Sequence, residues 1–192
     1  MKNLARGGAL LLPLLLALNA GAANYTVVLD GPSESPPNAS PGFGSATVSF
    51  DASTHTLAIN MSFSGLLGTT TASHIHCCTA VPGTGTGSVA TQTPVFVGFP
   101  LGVTSGSYTN SWDTSLASTW NPSFITNHGG TTAGAEAAFG AGLAAGEAYL
   151  NIHTTVVPGG EIRGFLMPVP EPATWAMLAI GMVPLLLRRR KS

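Results

Sequence analysis

The chain has 192 residues, 44% hydrophobic and only 8% charged, with 24 glycines and two cysteines. Its formal charge of −1 conceals an asymmetry: between Asn24 and Val169 seven carboxylates meet one cation, Arg163, for a formal charge of −6. A domain with no basic surface cannot neutralise phosphates, so nucleic acid is excluded as a partner.

The N-terminus carries Lys2 and Arg6, then the apolar run "GALLLPLLLAL", then small residues ahead of Asn24. These are the three parts of a secretory signal peptide, with Ala20-Gly21-Ala22 fitting the cleavage pattern, and residues 1–23 are assigned to it. The exported domain, residues 24–168, reads as short alternating stretches between turn signals, the pattern of an all-β sandwich or barrel. Tyr25, Val27 and Leu29 alternate first; a Pro/Ser-rich loop follows; then come Ala46, Val48 and Phe50. The clearest strand places Leu57, Ile59, Met61 and Phe63 on one face.

"HIHCC", His74 to Cys78, is the next strand candidate, and "PVFVGF" the one after it. On a strand His74, His76 and Cys78 point one way and Cys77 the other. An H-x-H pair can place two imidazoles around one metal ion, copper or zinc, and a third ligand from another strand would leave an open position. His153 is the third candidate, with Cys78 as a further thiolate ligand. His55 and His128 fall in turn contexts and read as surface residues. Adjacent cysteines have Cα atoms only ~3.8 Å apart across a trans peptide, below the usual disulfide minimum of ~4.4 Å. Three states stay open for Cys77 and Cys78: a vicinal ring turning the chain after His76, a thiolate ligand, or thiols pairing between molecules. The ring is favoured, because an exported protein meets an oxidising compartment.

Further on, Ala135–Ala145 reads as one or two helical turns, with Gly140, Gly142 and Gly146 weakening anything longer. The domain closes on two strands around Pro158-Gly159-Gly160, a hairpin signal. A turn centred on Gly159 places Val157 opposite Glu161, Thr155 opposite Arg163 and His153 opposite Phe165. Asn151, His153, Thr155, Glu161 and Arg163 then share one face, and Glu161 is the expected ion-pair partner of Arg163.

At the C-terminus Val169-Pro170-Glu171-Pro172 precedes the apolar run Ala173–Leu187, then Arg188, Arg189, Arg190 and Lys191. The run is short of the ~20 residues that span a bilayer in a straight helix, and the basic end would stay on the cytoplasmic side. Residues 169–192 resemble a PEP-CTERM sorting signal: a motif, a short transmembrane helix and a basic end. That resemblance implies recognition by exosortase, transient membrane attachment, and a place in the envelope, surface or matrix of a Gram-negative bacterium making exopolysaccharide. The pair "SGLLGTTTASHIHCC" and "GEAYLNIHTTVVPGGEIRGFL" resembles the CHRD domain first named in chordin, over roughly Tyr25 to Met167. It implies an immunoglobulin-like β-sandwich or Greek-key barrel and no defined catalytic activity.

The reading is therefore a non-catalytic exported surface or matrix protein with a candidate metal site. A weaker similarity to Cu/Zn superoxide dismutase supplies the alternative, a copper-dependent redox enzyme in which Arg163 would steer an anion.

Overall fold

The computed structural model describes residues 21–170. The fold is all-β: eight strands form one antiparallel sheet curled into a half-barrel. The strands are β1 (Ala23–Asp30), β2 (Phe43–Asp51), β3 (Thr56–Ser64), β4 (Thr70–His76), β5 (Gly106–Asp113), β6 (Tyr149–Thr154), β7 (Ile162–Phe165) and β8 (Met167–Pro168). Their order across the sheet is β4-β6-β7-β1-β2-β3-β5, with β8 pairing β1. The chain steps from β3 to β4, which sit far apart in that order, through residues 65–69. There Leu66 and Thr70 donate their amides to Thr104 and Val103 just ahead of β5. The curl thus brings the two ends of the sheet toward each other.

Alternation decides what is buried. Tyr25, Val27 and Leu29, then Ala46, Val48 and Phe50, then Leu57, Ile59, Met61 and Phe63 all point inward, as their spacing predicts. Ile75, Leu150, Ile152 and Ile162 continue the same inner face on β4, β6 and β7. Burying each large side chain contributes about 1.5–3 kcal/mol of transfer free energy. The open side of the curl is closed by Trp120 and two helices, α1 (Pro122–Asn127) and α2 (Thr132–Ala145), through Phe124, Phe139 and Leu143.

Several expectations change. The segment Pro94–Phe99 is no strand; it belongs to a long loop that sinks Phe96 and Phe99 into the core. The strand of "HIHCC" stops at His76. β5 was invisible to apolar alternation, because its inward positions mix Tyr108 and Trp112 with Asn110. α2 runs 14 residues, longer than one or two turns. Thr131 caps its start by accepting from the Gly134 amide, and Gly146 ends it in the left-handed conformation, at φ 71°. The glycines that weaken it intrinsically allow close packing: a Cβ on Gly140 would lie 2.8 Å from the Phe50 ring. The apolar C-terminal helix and most of the signal peptide lie outside the described residues. Among the described residues no helix is long and apolar enough to cross a membrane.

Candidate metal centre

β4 and β6 pair antiparallel with His74 opposite Asn151, His76 opposite Tyr149, and Ala72 opposite His153. Because side chains alternate, these six share the sheet face turned away from the core. His153 stands one diagonal step from His74, and the small side chain of Ala72 leaves room for it. The three imidazoles converge: one ring nitrogen from each of His74, His76 and His153 lies within 4.8 Å of the others. The ring centroids are 5.3–6.1 Å apart.

The second nitrogen of each ring fixes the tautomer. His74 Nε2 donates to the Pro94 carbonyl at 2.6 Å, His76 Nδ1 to the Gly87 carbonyl at 3.0 Å, and His153 Nδ1 to the Pro158 carbonyl at 2.9 Å. A carbonyl oxygen only accepts, so each proton must sit on the outward nitrogen. Burial also holds all three rings in the neutral form. It pulls His76 down to about 4 and lowers His74 and His153, with the neighbouring rings adding to the effect on His74 and His76. What remains in the middle is three lone pairs, on His74 Nδ1, His76 Nε2 and His153 Nε2. Neutral rings in these tautomers have no proton to share across the 3.4 Å between His74 Nδ1 and His153 Nε2. His76 Nε2 is buried with no hydrogen-bond partner. Leaving a buried acceptor unsatisfied costs about 1–3 kcal/mol.

One of the three separations, the 3.4 Å between His74 Nδ1 and His153 Nε2, equals the spacing that a tetrahedral ion asks of two imidazoles. Two nitrogens each about 2.0–2.1 Å from one ion at a tetrahedral angle are about 3.4 Å apart. The backbone carbonyls take the place of the outer partners that orient metal-bound imidazoles.

Behind the triad the packing is stacked and charged. The Tyr149 ring lies on His76, centroids 4.7 Å apart and nearly parallel at 8°. The Arg163 guanidinium carbon sits 4.7 Å from the Tyr149 ring centroid. Arg163 is buried and pairs with Glu34 rather than Glu161: Nε donates to the Ser33 carbonyl at 2.5 Å and stands 3.8 Å from Glu34 Oε2. Burial raises the Glu34 carboxyl to about 7, against the opposing pull of Arg163, the Ser35 amide and Asn151. Glu161 turns to the other side of the sheet. It accepts from Ser40 Oγ and Thr154 Oγ1, both at 2.6 Å, and from the amides of Leu67 and Gly68. Burial would raise Glu161, but these four donors outweigh it and hold the carboxyl below its usual range.

The hairpin register explains the change of partner. Asn151 pairs with Arg163 and Ile152 with Ile162, four places from the pairing expected of a turn centred on Gly159. β6 ends at Thr154 and β7 begins at Ile162, so residues 155–161 form a loop. An even shift preserves the face, which is why Asn151, His153 and Arg163 still stand together.

The cysteines leave the site. Cys77 and Cys78 are joined to each other in a disulfide. Cys78 Sγ approaches the Ala138 carbonyl on α2, so it contributes no ligand beside His74 and His76. His128 Nδ1 donates locally, to the Phe124 carbonyl. His55 is half exposed yet bonds Glu136 on α2 at 3.0 Å, a tie its turn context did not announce. The orienting carbonyls of Gly87, Pro94 and Pro158 carry no side-chain signal and could not be read from sequence. Tyr149 could have been, since it alternates with Asn151 and His153.

Val169 and Pro170 lie at the end of the described residues, and Glu171 and Pro172 outside them. In comparisons with known proteins, the CHRD domain family model matches residues 25–166 and the PEP-CTERM protein-sorting motif matches residues 168–191. No curated protein and no solved structure matches the chain.

Proposed function

On the premise that this chain belongs to the CHRD domain family and is an exported, envelope-associated bacterial protein processed by exosortase, we propose that it is a non-catalytic surface or matrix domain binding one copper or zinc ion. The ligands are His74 Nδ1, His76 Nε2 and His153 Nε2. One observation carries this reading: three neutral imidazoles aim lone pairs at one another, each locked by a carbonyl behind it. A cation placed between them would satisfy all three lone pairs at once, and imidazole nitrogens suit copper and zinc. Three ligands leave a coordination position for water or an exogenous group.

The redox-enzyme alternative draws no support from Arg163. The residue is 4% exposed and its guanidinium is engaged by Ser33, Glu34 and Tyr149, so it offers no charge to an incoming anion. In the non-catalytic reading the C-terminal apolar run holds the protein at the membrane until processing, and the released domain meets Gram-negative exopolysaccharide.

The test is stoichiometry. The domain is loaded with Cu or Zn, desalted, and its metal measured beside His153→Ala. One ion per chain in the wild type, lost in the variant, is expected. Equal metal in both, or none in either, overturns the reading.

A further inference from the structure

The Cys77–Cys78 disulfide stands directly behind His76, wedged between two glycines. On one side is Gly142 of α2, where a Cβ would collide with both sulfurs. On the other is Gly87, where a Cβ would lie 3.2 Å from the carbonyl carbons of Cys77 and of Cys78. The Cys77 amide donates to the Ser88 carbonyl at 2.9 Å, so residues 87–88 rest on the cystine. The same Gly87 carbonyl accepts from His76 Nδ1 and from the Tyr149 hydroxyl at 3.3 Å. The cystine is therefore the platform for the group that fixes the His76 tautomer.

Bonded sulfurs sit about 2 Å apart, whereas unlinked heavy atoms of this kind need about 3.5–4 Å. On the α2 side Gly142 stands against both sulfurs and leaves them no room to move apart in that direction. Parting them therefore displaces the cystine away from α2, toward Gly87, which rests on its backbone.

We infer that the disulfide is a redox control on the histidine site, its reduction releasing the Gly87 carbonyl and with it the orientation of His76. This rests on the metal reading above. Reduction takes two electrons and two protons from an external dithiol. Its thiolate attacks the sulfur of Cys78, the more exposed residue of the pair, a mixed disulfide forms, and the second reductant thiol resolves it. The reductant leaves as its own disulfide, and Cys77 and Cys78 remain as thiols.

The experiment measures Zn affinity by competition with a chromogenic chelator. It uses the oxidised protein, the protein reduced with a dithiol that is then removed without air, and Cys77→Ser/Cys78→Ser. Both non-bridged forms should bind at least tenfold more weakly, with folding checked by circular dichroism. If the double variant does not fold, the reduced wild type alone decides. Unchanged affinity overturns the inference, and so does tighter binding on reduction, which would make the thiols ligands.

Imidazole 15N spectra of metal-free protein separate the two proposals. If oxidised protein takes up no metal, the metal reading fails. The control then stands only if His76 passes from one Nδ1–H tautomer to an averaged one on reduction. A spectrum unchanged by reduction overturns it.

Discussion

Arg163 stands against Glu34, a pairing that sequence spacing could not locate, because the partner lies 129 positions away in a loop between β1 and β2. Arg163, Asn151 and Tyr149 are the charged and polar groups that face Glu34. Its folded carboxyl, raised to about 7 from 4.5, binds a proton that the unfolded chain has released over that interval. Stability contributed by this group is therefore complete below about 4.5 and lost as pH rises toward about 7, on the order of 3 kcal/mol in all. Buried neutral histidines act in the opposite sense, since their depressed values make stability fall as pH falls. The difference between wild type and Glu34→Gln isolates the carboxyl. In urea unfolding of metal-free protein, the variant should gain relative to wild type between pH 4.5 and 7.5. A pH-independent difference would refute the assignment.

At the scale of elements, local propensity and tertiary packing disagree most openly in α2. Glycine costs a helix about 1 kcal/mol relative to alanine, so Gly142→Ala should stabilise α2 in isolation. In the fold the added methyl would strike both cystine sulfurs, and Gly87 packs against the cystine backbone on the other side. Overpacking of this kind costs about 1–3 kcal/mol, and it outweighs the propensity gain. Thermal unfolding should show a lower Tm for Gly142→Ala; an unchanged or higher Tm would mean the cystine can yield. The neighbouring helix α1 shows what sequence reading missed. "NPSF" does carry a helix start, Asn121 accepting from the Ser123 amide with Pro122 in the first turn, but six residues show no apolar period to confirm it. The hairpin failed for a different reason: Pro158-Gly159-Gly160 signals a turn, yet the turn is the end of a longer loop fastened by the buried Glu161.

Across the whole molecule, the open sheet face divides into two territories. Over β4, β6 and β7 it is covered and holds the histidines. Over β1, β2, β3 and β5 it is exposed; its middle rows carry no charge, and the carboxylates Asp30, Asp51 and Asp113 stand at the strand ends. Thr26, Thr47, Asn60 and Thr109 align across the four strands in one row, and Val28, Ser45, Ser62 and Ser107 in the next. Hydroxyls and amides without charges suit hydrogen bonding to an uncharged polysaccharide, the matrix contact in the proposed function. Thr47→Lys/Asn60→Lys should keep the wild-type Tm and lose retention on a neutral polysaccharide gel; equal retention would remove the face from consideration. What the sequence by itself determined was the list of inward residues and the face shared by His74 and His76, with His153 a candidate that the pairing of β4 with β6 brings beside them. Both follow from a two-residue period that holds wherever a strand forms. Only the tertiary structure decided which loops supply the orienting carbonyls, that Glu34 and not Glu161 meets Arg163, and that the cysteines back the site without entering it. Those are contacts between segments distant in the chain, set by loop length and by shapes that close only when the sheet curls.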